Sequence, residues 1–98
     1  MKWYFMADAE QELKEAKAYY EREKRGLGKQ FLLEVRKAIR RILKFPKAGS
    51  LLTNDVRRCR TNKFPYGIVY MLEDNESTII IVAVMHLHRE PGYWKDRL

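Results

Sequence analysis

Seven consecutive residues, Ile79 to Met85, are apolar, and all but the last belong to an Ile/Val/Ala run without a break. A strand with one wet face alternates apolar and polar residues. A strand that is apolar at every position needs cover on both of its faces. The run is far shorter than the roughly 18 residues of a membrane-spanning helix, so the pattern predicts a strand buried on both faces. Whatever else the chain forms must therefore supply two layers of cover. With 98 residues there is material for one domain, spanning 1–98, and one core.

The remaining pattern supplies one layer. Lys2 to Met6 is short and aromatic, which suits an opening strand. Asp8 with Gln11 three residues later reads as a capping box, placing a helix start at Asp8. Ala9, Leu13, Ala16 and Tyr20 then form one stripe of an amphipathic helix that should be capped at Gly26-Leu27-Gly28. Phe31, Val35, Ala38 and Ile42, widened by Leu32, Ile39 and Leu43, mark a second helix that Pro46 ends. The short link makes the two an antiparallel hairpin. Strands are expected at Val56 to Thr61, Tyr66 to Leu72 and Thr78 to Met85, with Asp74-Asn75-Glu76-Ser77 turning the last pair. The expectation is an α+β fold: N-terminal strand, helix hairpin and a three-stranded antiparallel meander, with the helices on one face. The second face is left to the C-terminal tail or to another chain, and an apolar face of that kind points to a partner protein.

Twenty Lys and Arg against thirteen Asp and Glu leave a net charge of +7. Residues 1–49 carry 13 basic and 7 acidic groups, net +6, whereas residues 50–98 carry 7 and 6, net +1. Such an excess suits phosphate backbones, acidic membranes or an acidic protein and does not choose among them; solvated helix faces would also account for it. No secretory signal is expected, because Asp8 interrupts the only apolar stretch near Lys2, and a cytoplasmic protein is the reading. A single cysteine, Cys59, excludes an internal disulfide and a cysteine-based zinc cage; in mid-strand it reads as a small buried thiol.

No phosphate-binding glycine loop and no carboxylate pair stand out, and no cofactor is called for. His86 and His88 share a side of the last strand but lack a third ligand at useful spacing, so no metal is expected. Arg58 and Arg60 share one face of a strand about 7 Å apart, near the spacing of successive phosphates. Arg57 points the other way and is expected to pair with a helix carboxylate. His86, Arg89, Tyr93, Trp94 and Arg97 interleave cations with rings, as a nucleic-acid surface does. A solvated edge, with Tyr93 and Trp94 closing the core, is the alternative.

Together these residues resemble a known family. Ala9-Glu10-x-x-Leu13-x-x-Ala16-x-x-Tyr19-Tyr20-Glu21, Gly26-Leu27-Gly28-x-x-Phe31, Glu34-Val35, Pro46-x-x-Gly49, Val56-Arg57-Arg58, Phe64-Pro65-Tyr66-x-Ile68-x-Tyr70 and His86-x-x-Arg89-x-Pro91-Gly92-Tyr93-Trp94 are similar to the RelE/ParE toxin superfamily, closest to its ParE, or plasmid-stabilisation, branch. The resemblance implies a RelE-like fold and a cytoplasmic toxin of a type II toxin–antitoxin module. It also implies an antitoxin, encoded by an adjacent gene, that wraps the helices and sheet; a dimer or a hetero-oligomer with that antitoxin is compatible with it.

The superfamily implies two mechanisms. In the ribonuclease branch, which cleaves mRNA on the ribosome, Arg58 and Arg60 would be the basic pair, Tyr93 the late tyrosine, and His86 a substitute acid or base. Two arginines of that branch fall here on Gly67 and Leu87. In the ParE branch the toxin poisons DNA gyrase and is no enzyme; the segment His86 to Leu98, with His86, Arg89, Tyr93, Trp94 and Arg97, would bind the target. The incomplete catalytic set favours gyrase. The alternatives are the ribosome-dependent endoribonuclease and a degenerate, non-toxic module that only binds its antitoxin.

Overall fold

The computed structural model describes residues 1–73, 75 and 77–98; of the four expected turn residues, Asp74 and Glu76 lie outside this set. The chain runs β1 (Lys2–Phe5), α1 (Ala7–Glu23), α2 (Leu27–Lys44), β2 (Ser50–Leu51), β3 (Val56–Arg60), β4 (Tyr66–Glu73), β5 (Thr78–His86) and a closing 3-10 turn, Lys95–Arg97. The strands form one sheet in the order β1-β5-β4-β3-β2. β1 lies parallel to β5, and every other pair is antiparallel. This is the expected α+β arrangement with one addition: the two-residue β2 pairs with Arg57 and Arg58, where only a connection was expected.

Local differences have physical causes. α1 begins at Ala7, and Met6 at its N-cap offers no side-chain hydrogen bond. Asp8 is therefore no cap; its carboxylate instead lies 3.6 Å from Arg97 Nε. The helix break sits earlier than expected, with Lys24 capping α1 and Gly26 at φ +88° opening α2, so that Gly28 is a residue of α2. A Cβ at Gly28 would stand 2.6 Å from the Lys17 carbonyl, so glycine is what lets the helices approach there. Glu21 accepts hydrogen bonds from the Gly26 and Gly28 amides and so caps α2 from the neighbouring helix. Those bonds lower its pKa.

The helices bury Ala9, Phe31, Val35, Ala38 and Ile42 against Ile68, Tyr70, Ile79, Ile81 and Val84 of the sheet. The second face is closed by the chain's own tail: Trp94, 2% exposed, packs with Val56, Val69, Val82, Ala83 and Met85. The uncovered apolar face from which a partner was argued is thus already covered. Pairing skips Val82, since Val69 faces Ala83 and Tyr70 faces Ile81. This bulge reverses the alternation of β5. Before it, Ile79 and Ile81 face the helices; after it, Val84 does, while Ala83 and Met85 face the tail.

Candidate functional site

The tail is joined to α1 through one carboxylate that sequence reasoning missed. β1 is four residues long and β5 nine, so β5 outruns its neighbour. The last bond between them runs from the Met6 amide to the Ile81 carbonyl. Beyond it, Glu12 Oε1 accepts from the Val84 amide at 3.0 Å, and Arg97 Nη1 donates to the Val82 carbonyl at 2.9 Å. Two side chains therefore replace a strand on that edge. Arg97 also grips Glu12 with two bonds of 2.9 Å. Tyr93 donates its hydroxyl proton to Glu12 Oε2 at 2.6 Å, and Arg89 Nη1 lies 3.2 Å from the same oxygen. The Arg89 guanidinium stacks 3.6 Å from the centre of the Tyr93 ring, with Arg97 at 5.1 Å.

Electrostatics follow from this geometry. Burial raises the Glu12 pKa, but the hydrogen bonds from Arg97, Tyr93 and the Val84 amide, with the Arg97 charge, outweigh it and leave the carboxyl below its ordinary value. The Tyr93 hydroxyl is pushed well above the usual phenol value, first by burial and then by Glu12. At neutral pH it is a donor held by a carboxylate, not a base. Three of the expected target-contact residues, Arg89, Tyr93 and Arg97, are thus brought together, and a fourth, Trp94, is in the core with its ring away from solvent. The signal for Glu12 was available: a carboxylate three residues after Ala9 and four before Ala16 lies beside the buried stripe of α1.

Arg58 and Arg60 lie elsewhere. They sit on β3, separated from β5 by β4, so their backbones are roughly 10 Å from the strand that Glu12 and Tyr93 border. The Arg58 stem runs across Gly67, where a Cβ would stand 2.7 Å from its Cδ, so the residue at 67 makes room for Arg58. Arg58 lines a cavity of about 150 Å³ with Leu52, Met85, Trp94 and Lys95. Arg60 is exposed. Arg57 does not find a helix carboxylate; its guanidinium donates to the Gly49 carbonyl at 2.9 Å, because β2 folds back beside it.

His86 ends β5 with its ring edge-on to Tyr66 at 5.2 Å, and its Nδ1 accepts from the His88 amide. Among the described residues no group of three or more His, Cys, Asp or Glu is placed to hold a metal ion. Cys59 is half-buried against the Ala38 carbonyl and Arg41. Among the described residues no helix is long and apolar enough to cross a membrane.

Between the edge strand β1 and the helices, Trp3, Phe5, Leu13, Val35, Ile39 and Leu43 line an open groove of about 430 Å³ with Arg36 and Arg40. Trp3 and Tyr4 on the adjoining edge strand are exposed.

The chain is similar in structure to a solved chain described as the chromosomal ParDE TA system from P. aeruginosa. The TM-score is 0.66 over 90% of this chain and 97% of that one, at 12% sequence identity, which speaks to the fold. Compared with curated proteins, the sequence has no match. Residues 4–91, from β1 through the start of the tail, match the family of the ParE toxin of type II toxin–antitoxin system, parDE. The chain belongs to the ParE toxin family of type II toxin–antitoxin systems.

Proposed function

We propose that this protein arrests bacterial growth by poisoning DNA gyrase in the cytoplasm and is neutralised by an antitoxin encoded beside it. The observation that carries the choice of gyrase is the scatter of the ribonuclease candidates. Phosphoryl transfer needs its cations and its acid or base around one phosphate. Arg58 and Arg60 lie on β3, beyond β4, whereas His86 lines a cavity with Glu12 and Arg89, beside the Tyr93 that Glu12 holds, so the basic pair stands apart from the acid or base candidates. What the tail does offer is a preformed shape: Arg89 stacked on Tyr93, anchored below by Arg97 and Trp94. Shape held before contact suits an inhibitor that binds a large target.

The antitoxin reading is supported by the groove beside β1. Its floor is apolar and its rim carries Arg36 and Arg40, which matches an amphipathic segment with acidic residues along one side.

The test is a brief induction without antitoxin, with DNA and protein synthesis pulse-labelled in one culture. DNA synthesis should fall first, and purified gyrase should accumulate cleaved DNA in the toxin's presence. Early collapse of protein synthesis with DNA synthesis continuing would transfer the protein to the ribonuclease branch. Unchanged growth would leave only an antitoxin-binding module.

A further inference from the structure

α2 presents an unbroken cationic face. It carries six basic residues, Lys29, Arg36, Lys37, Arg40, Arg41 and Lys44, and one acid, Glu34, for a net +5. All six cations are exposed. At about 100° per residue they fall within an arc of about 140°, shared only with Gln30 and Leu33. The acid faces inward: Glu34 is 4% exposed, with Lys37 and Lys63 both within 3.8 Å of its carboxylate. Among the described residues, no carboxylate forms an ion pair with Lys29, Arg36, Arg40, Arg41 or Lys44.

A helix face that is merely solvated mixes both signs, because like charges three or four residues apart oppose the helix. Here Arg36–Arg40, Lys37–Arg41, Arg40–Lys44, Lys37–Arg40 and Arg41–Lys44 all repel. Rows of cations about 6 Å apart, along a rod of about 22 Å, match the repeat of a phosphodiester backbone. A single strand would want rings to stack on. The only aromatic residue within α2, Phe31, is fully buried, and the exposed ring that follows the helix, Phe45, is one ring with Lys44 5.6 Å over it, not a row on which successive bases could stack.

We infer that the solvent face of α2 is a docking surface for the backbone of double-stranded DNA, read without regard to sequence. The choice of DNA over RNA rests on the gyrase reading, since gyrase holds a duplex. The contact itself is measured without gyrase, so either claim can fail while the other stands.

The experiment is fluorescence anisotropy of a labelled mixed-sequence duplex of about 20 bp, titrated with the purified protein from about 50 to about 200 mM salt. Binding should weaken steeply, with a log–log slope of about −5 for six phosphate contacts. The triple variant Arg36→Gln/Arg40→Gln/Lys44→Gln should flatten that slope by about 3, and each single variant by about 1. A charge-matched control on the other helix, Lys14→Gln/Lys17→Gln/Arg22→Gln, should change it by less than about 1. Circular dichroism melts confirm that each variant is folded, and the single variants carry the test if the triple is not. Absence of duplex binding at the lowest salt overturns the proposal. So does an equal loss in both triple variants, which would reduce the effect to net charge. Tighter binding of an RNA duplex of equal length would assign the face to RNA and overturn it as well.

Discussion

α1 and α2 are neighbours of almost equal length, 17 and 18 residues, yet they use charge in opposite directions. α1 carries six acidic and three basic residues, net −3, and several of its acids work inside the molecule. Glu12 holds the tail, Asp8 supports Arg97, and Glu21 caps the neighbouring helix. α2 carries net +5: its one acid turns inward with Lys37 beside it, Arg41 donates to the Arg60 carbonyl, and Lys29, Arg36, Arg40 and Lys44 stand exposed with no carboxylate partner among the described residues. Charge that meets a partner within the chain contributes to the fold. Charge that meets none opposes the fold, and its persistence points to a partner outside. Composition reports only the sum of the two, which is why a net charge of +7 chose nothing by itself.

The comparison can be broken most directly at Glu12. Replacing it with Ala leaves Arg97, whose side chain is 14% exposed, without its main counter-charge and the Val84 amide without an acceptor. A loss of about 3 kcal/mol is expected, or roughly 15 °C in Tm, measured by thermal or urea unfolding. A change within experimental error would mean that the tail is held by Trp94 alone.

A smaller effect tests the charge state of the same group. The Glu12 carboxyl lies below its ordinary value of 4.5 in the folded protein. Its contribution is therefore complete above the unfolded value and is lost as pH falls through the lower, folded one. Urea unfolding from about pH 7 to about pH 3 should show wild type losing its advantage over Glu12→Gln on the acid side. Parallel profiles for the two proteins would refute the ionised clasp.

The smallest effect has the opposite sign. Arg40→Gln on α2 removes repulsion with Arg36, Lys37 and Lys44 and should raise stability by a few tenths of a kcal/mol at low salt. The gain should vanish at high ionic strength. If the substitution destabilises instead, α2's cations have partners within the fold and the contrast between the helices disappears.

Hydrophobic period was enough to place the helices and the three long strands, because each buried stripe repeats at its own spacing. β2 was invisible: two residues, Ser50 and Leu51, carry no period. The helix start was misplaced because Asp8 resembles a cap in sequence while its carboxylate is drawn to Arg97, 89 residues later. The bulge was hidden for a related reason, since a strand that is apolar throughout reads the same in either phase. Of the expected site, Arg89, Tyr93 and Arg97 were legible as a group by their chemistry. Their common anchor was legible only in part: its place beside the buried stripe of α1 marks Glu12, but nothing in the sequence joins it to Tyr93, 81 residues later. The same packing limits a tempting experiment: removing Pro91 to Leu98 would take Trp94 out of the core and test folding rather than targeting.

The skipped residue in β5 has a consequence of its own. Slide Ala83 to Met85 by one position, and every side chain still meets an oily layer, so burial hardly distinguishes the two alignments. Discrimination falls to the polar contacts on the strand's outer edge, where Arg97 reads the Val82 carbonyl and Glu12 the Val84 amide. The far end of the chain thus helps to hold the phase of β5, the strand between β1 and β4. The closing turn at Lys95–Arg97 carries one of the contacts that tell the two alignments apart.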